Sequence, residues 1–231
     1  MAHDCDIRVI SIGALAAHPL WDERGAVRTG HATTTLVRKG DVAVLVDPGL
    51  PAQALAVRLQ ERAGIGPEAI THVFLTSFQP DTTRGLGAFG HASWLVSETE
   101  REAVGVPIAA QLQKLAQDDA DEEVIELLRR EVSLLKRCIP APDSLAPGVD
   151  LFPLPGVTPG MTGLLISEPS RTTLIAGDAV ATVEHLAAGK VLQSSVDVET
   201  AKESFQEAVE IADWLVLGRD NVATNPLRRP F

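Results

Sequence analysis

The chain has 231 residues, 45% hydrophobic and 22% charged, enough for a single globular domain over residues 1–231 with a sizeable core. Its 31 acidic residues against 20 basic ones give a net charge of −11, which argues against a nucleic-acid backbone or an anionic membrane as partner. No run approaches the roughly 18 apolar residues of a membrane-spanning helix, and the start, "MAHDCDIRV", lacks the features of a signal peptide. The two cysteines, Cys5 and Cys138, match no metal or redox spacing. A cytoplasmic protein with two reduced thiols is therefore expected.

In chain order, Asp6–Leu15 reads as a strand and "HPLWDERGAVRTGHA" as a polar loop. Thr33–Leu50 reads as a hairpin that turns at Lys39-Gly40-Asp41. Its second arm, "VAVLV", is continuously apolar, as a strand covered on both faces should be. Pro51–Gly64 is predicted as an amphipathic helix that starts at proline and stops at glycine. Ile70–Thr76 is predicted as a buried strand leading into "SFQPDTTRGLG", and Ser93–Ser97 as a short strand. Ser97 and Glu100 have capping-box spacing, which predicts a short helix. Pro107–Arg137 is predicted as the longest helical stretch, with its acidic run 118–123 solvated near a helix start. The second half repeats the rhythm: "DLFPLPG" leads to a strand at Thr162–Ser167, a turn and "RTTLIAGDAV" follow, then a helix at Val198–Ala212 and a strand at Trp214–Gly218. The tail "NPLRRPF" is expected at the surface. Hairpins in both halves with helices between strands point to α/β architecture, two sheets packed face to face with helices outside, an αββα four-layer sandwich.

"VDPGLP", "LTSFQPDTTRGL", "PGVTPGMTG", "IAGDAV" and "LGRDNV" follow one another in the order of the motifs of the metallo-β-lactamase superfamily, which the chain resembles from about Thr33 to Asn221. The resemblance implies an αββα hydrolase fold with one or two metals, usually zinc, at the sandwich edge. It also implies ligands from a His-x-His-x-Asp-His loop, which here reads Ser77-Phe78-Gln79-Pro80-Asp81-Thr82. Val157 takes the position of the next ligand histidine, and Met161 that of a later histidine. Asp178 matches the metal-bridging aspartate, and Arg219 stands at the last histidine. Asp47 matches an aspartate that holds loops by backbone hydrogen bonds. Every histidine ligand of the pattern is thus replaced, while both carboxylates remain.

Zinc needs three or four ligands from His, Cys, Asp or Glu with an open position for water. Ser, Gln and Thr are poor zinc ligands, and Val binds no metal. The expectation is therefore no cofactor and no metal. Asp81 and Asp178 are the candidate catalytic residues. Ser77, Gln79, Thr82, Arg84, Val157, Met161 and Arg219 line a remnant cleft open to a small-molecule ligand. Two adjacent carboxylates need a proton or a cation, which Arg219 or Arg84 can supply. A cation held between the aspartates, a solvent-facing Arg219, and a zinc site rescued by His31, His72, His91 or His185 stay open as alternatives. Ser77 has no recognisable base, and no Gly-x-Ser-x-Gly elbow is present. The expected function is a metal-free, catalytically impaired relative that acts as a binding or regulatory module. The alternative is a hydrolase of an ester, thioester or lactone working at a non-standard site around Asp81 and Asp178.

Overall fold

The computed structural model describes residues 5–117 and 122–227. The first sheet runs β1 (Asp6–Ser11), β2 (Thr34–Lys39), β3 (Val42–Val46), β4 (His72–Leu75), β5 (Ser93–Val96) and β6 (Ile139–Pro140), in that spatial order. In the second sheet, β7 (Ser144–Ala146), β8 (Val149–Pro153), β9 (Thr162–Glu168), β10 (Arg171–Gly177), β11 (Trp214–Leu217) and β12 (Val222–Thr224) also lie in sequence order. The helices are α1 (Ala52–Ala63), α2 (Pro80–Thr83), α3 (Glu98–Gln117), α4 (Glu122–Arg137), α5 (Val183–Ala188) and α6 (Val198–Ile211).

Strand alternation builds the layers. Val44 and Val46 of β3 face Ile166, Ile175 and Val216 in an apolar layer between the sheets. Leu45, between them in sequence, points the other way and packs with Leu55 and Leu59 of α1 and Leu135 of α4. On the far side, Leu174 and Leu215 pack with Ala208 and Val209 of α6. Three apolar layers make four layers of backbone, the αββα sandwich expected from the sequence.

Several elements differ from the sequence expectation. The first strand ends at Ser11 and not at Leu15, after a bulge between Val9 and Ser11 that shifts its register. The segment 98–117 is one helix that continues through Pro107, although proline removes one rung of the ladder. "DLFPLPG" contains a strand of its own, because residues 149–153 pair antiparallel with β9. Of the acidic run, Glu122 and Glu123 open α4, and 118–121 lie outside the described residues. In the tail, Asn225 is buried, and its amide donates to the carbonyls of Val209 and Ala212. The remaining tail residues 228–231 lie outside the described residues.

Parallel pairing sets where the site forms. β3, β4 and β5 run parallel, as do β10 and β11. The loops that leave their carboxyl ends carry Asp47, residues 77–82, Asp178 and Arg219 to one edge of the sandwich. This is where open α/β sheets place ligands.

Glu100 ties that edge together. Ser97 Oγ caps α3 by accepting from the Glu100 N–H at 3.1 Å, which is half of the expected capping box. The Glu100 carboxylate does not complete it. It is fully buried and accepts from the Phe78 N–H at 2.9 Å, the Thr158 hydroxyl at 2.7 Å and the Gly160 N–H at 3.1 Å. One side chain thus joins the loop after β4 to the loop before β9. Glu100→Ala would leave three buried donors without their acceptor. The expected loss is about 3–5 kcal/mol in urea unfolding, whereas a change under about 1 kcal/mol would show that water replaces the carboxylate there.

Candidate functional site

The centre of the edge is an ion triad. The Arg219 guanidinium donates from Nε to Asp178 Oδ1 at 2.7 Å and from Nη2 to Asp178 Oδ2 at 2.6 Å, a two-pronged pair. Its third nitrogen, Nη1, donates to Asp81 Oδ2 at 2.6 Å. Arg219 and Asp178 are each 6% exposed, whereas the Asp81 side chain is 34% exposed. Burial opposes the charge on Arg219, but the carboxylates of Asp178 and Asp81 outweigh it and push its pKa above the usual guanidinium value.

Each member is placed by its local backbone. Asp81 sits in the first turn of α2, where a negative charge suits the helix dipole, and its carbonyl accepts from the Ala32 N–H. Asp178 follows Gly177, whose φ of +52° falls where only glycine is comfortable. A side chain at Gly177 would also meet the Thr76 hydroxyl at 2.7 Å. Arg219 is held by its N–H on the Ala181 carbonyl at 2.7 Å. Before it, a Cβ on Gly218 would meet Asp178 Oδ1 at 2.5 Å, so glycine lets the carboxylate approach the chain.

Behind the triad, Asp47 is 2% exposed and accepts from the Thr76 N–H at 2.9 Å and hydroxyl at 2.7 Å. It fastens the end of β3 to the end of β4, the structural role its motif implies. Burial pushes its pKa up to about 7 despite these two bonds.

A cleft of about 540 Å³ opens over the triad. Gln79, Asp81, Val157, Asp178 and Arg219 line it, as expected. Ser77, Thr82, Arg84 and Met161 do not. Ser77 is 1% exposed. The Thr82 hydroxyl turns into its own loop and donates to the carbonyls of Ser77 and Gln79. Arg84 approaches Asp81 Oδ1 at 3.6 Å and faces a different hollow. Met161 is buried in the apolar layer under α6. The alternative of a solvent-facing Arg219 is overturned by its burial and its bonds.

Sequence reasoning missed the other wall: Leu15, Ala16, Ala17, Pro19 and Glu23, together with Leu192, Gln193 and Ser194. In the sequence Leu15 reads as the end of a strand and His18 onwards as an ordinary polar loop, and the one usable signal there is His18. That ring is 3% exposed and stacks on Trp21 with centroids 4.1 Å apart. Its Nε2 lies 3.1 Å from the Thr182 hydroxyl and 3.3 Å from Glu184, and its backbone N–H donates to Glu23 at 2.6 Å. A histidine thus pins the wall to the segment that follows Asp178.

The other described histidines make bonds of their own. His31 Nε2 lies 3.1 Å from the Ile12 carbonyl, and His91 Nε2 lies 3.1 Å from that of Ile70. His72 and His185 bond the hydroxyls of Thr71 and Thr182. Burial, and then the neighbouring His18, lower the pKa of His185. Among the described residues, no group of three or more His, Cys, Asp or Glu side chains could hold a metal ion. The donor set of a zinc centre does not fit here: a guanidinium stands between the two carboxylates, and Val157, at a ligand position, is apolar.

A family model described as the metallo-beta-lactamase superfamily matches residues 27–217. Among curated proteins none matches the chain. Solved structures with the same fold include a Thermotoga maritima protein assigned to the metallo-beta-lactamases, at 19% identity and a TM-score of 0.69, covering 96% of this chain and 100% of that one. AidC, described as a dizinc quorum-quenching lactonase, is 21% identical at a TM-score of 0.60, over 78% of this chain and 67% of its own. A mutant of AiiA from B. thuringiensis, solved with N-decanoyl-L-homoserine at its active site, is 19% identical at a TM-score of 0.58, over 90% of this chain and 88% of its own.

Two predictions follow from the geometry of the triad and its support. Arg219→Ala leaves buried negative charge uncompensated and is expected to cost about 3–5 kcal/mol in denaturant unfolding. With Asp178→Asn and the double variant, the cycle should show a coupling of about 1 kcal/mol or more, and additive effects would show that the pair does not interact. The second concerns Asp47, whose pKa is higher in the folded chain than the ordinary carboxylate value near 4. The folded state therefore holds the proton more tightly, so this contribution is full below about pH 4 and is lost as pH rises to about 7. Asp47→Asn should remove that dependence: the stability of wild type relative to the variant falls between about pH 4 and 7 and is flat above. A flat difference across the window would show that Asp47 stays ionised in the folded chain.

Proposed function

The chain belongs to the metallo-β-lactamase superfamily, and we propose that it is a metal-free member that binds a small molecule in the cleft over the Arg219 triad. The observation that carries this reading is the guanidinium itself. It brings a permanent positive charge between the two carboxylates that would hold a metal, and its three bonds of 2.6–2.7 Å engage both of them. A divalent ion added there would face Arg219 at close range without the ligands that could offset the repulsion.

The walls suit a ligand. Leu15, Pro19, Val157 and Leu192 offer apolar surface, and Gln79, Gln193 and Ser194 offer polar groups. Mixed walls around a cleft of this size are usual for small-molecule sites. A second reading, hydrolysis of an ester, thioester or lactone, draws on one observation. The partly exposed Asp81 faces the cleft, bonded through Oδ2 to Arg219, and could act as a general base. Lactonases among the structural relatives make such substrates a sensible panel.

The test is metal content of protein purified without chelator or affinity metal. Well under one equivalent of zinc, manganese or iron per chain is expected, with no change in melting temperature on adding EDTA. Near-stoichiometric metal that survives dialysis would overturn the metal-free reading. Under the second reading, metal-free protein would turn over a member of the panel, and Asp81→Asn would abolish that turnover.

A further inference from the structure

A second hollow, of about 350 Å³, lies apart from the triad, between β1 and the C-terminal half of α1. Its floor is Val9–Ile12, and Ile10 sits at the bulge where the register of β1 against β2 shifts by one residue. A bulge leaves its extra residue outside the ladder and re-aims the neighbouring groups. Its rim carries Arg58, Arg62, His31 and Asn221. Arg58 and Arg62 are four residues apart on α1, so they stand on one face of that helix.

The charge pattern is unusual for this protein. The chain carries a net charge of −11, yet among the described residues no Asp or Glu lines this hollow while two guanidinium groups and an imidazole do. Arg62 makes no ion pair among the described residues, although its carbonyl accepts from Arg8. Among the described residues Arg58 pairs with Glu61, in an exposed pair at 3.1 Å, which costs little to break. The His31 ring is anchored on the Ile12 carbonyl at the floor. Two forks of N–H donors beside an amide and an apolar floor suit a tetrahedral oxyanion carried on a small organic body.

We propose that this hollow binds a phosphate group, with Arg58 and Arg62 as its main donors. The phosphate is either free or the monoester of a small metabolite whose carbon skeleton rests on Ile10, Ile12 and Leu50. The site is separate from the cleft over Arg219, and its occupancy does not require the reading given for that cleft.

The experiment is isothermal titration of the full chain at low, constant ionic strength, because salt screens exposed charges. The probes are inorganic phosphate and glycerol 3-phosphate, with chloride as the ionic-strength match. Saturable binding of one phosphate per chain is expected. Arg58→Gln and Arg62→Gln should each weaken it at least fivefold, and the double variant should abolish it. Arg24→Gln, an exposed change of the same charge elsewhere, should leave it unchanged. Tighter binding of glycerol 3-phosphate would identify an ester as the ligand, and equal binding would identify the free ion. No saturable phosphate binding, or binding that the double variant retains, would overturn the proposal. A loss in Arg24→Gln equal to that in the double variant would reduce the effect to net charge and would also overturn it.

Discussion

The edge of this sandwich depends on how Arg219 satisfies two acids at once. Asp178 and Asp81 approach the same point from the ends of different sheets, and two carboxylates that close cannot both remain ionised without a cation between them. A flat, permanently charged fork solves this with one side chain. Two of its bonds fix Asp178 in plane, and the third reaches Asp81 across the gap between the loops. The surrounding choices follow from it: glycine at 177 and 218 lets Asp178 approach the chain, and the buried Asp47 fastens the strand ends behind.

The pattern of burial divides the labour among the three. Arg219 and Asp178 are sealed, whereas Asp81 keeps a third of its side chain exposed. The sealed pair gives the centre its geometry, and Asp81 is the charge the cleft can present. The wall opposite rests on His18, whose ring, stacked on Trp21 and bonded to Thr182, connects a loop early in the chain to the segment after Asp178.

Much of this was legible in the sequence. The order of the motifs was enough to bring Asp81, Asp178 and Arg219 to one edge, and the unbroken apolar run Val42–Val46 was enough to cover β3 on both faces. The directions of short side chains were not legible. Thr82 has a ligand's position, but its hydroxyl finds two carbonyls of its own loop closer at hand. Met161 stands at the place of a later histidine of the motif, but its side chain completes an apolar layer. Glu100 shows the same limit. Its spacing from Ser97 suggests a local cap, and its real partners at Thr158 and Gly160 lie about sixty residues away, where no local pattern reaches. Pro107 reads as a helix start because proline is disfavoured inside a helix, yet α3 continues through it, and the wall near His18 is brought to the cleft by a long-range contact with Thr182 that no local pattern reveals.

The separations within the triad bear on the order in which the molecule assembles. Arg219 lies 41 residues from Asp178 and 138 from Asp81. Both sheets must be largely formed before the three side chains can meet, and contacts this distant close late because the intervening chain must first be ordered. Interactions absent from the folding transition state act mainly on the rate of unfolding. Sequence separation of this kind leads us to expect a latch, which does little to hasten folding and mainly slows the opening of the finished edge.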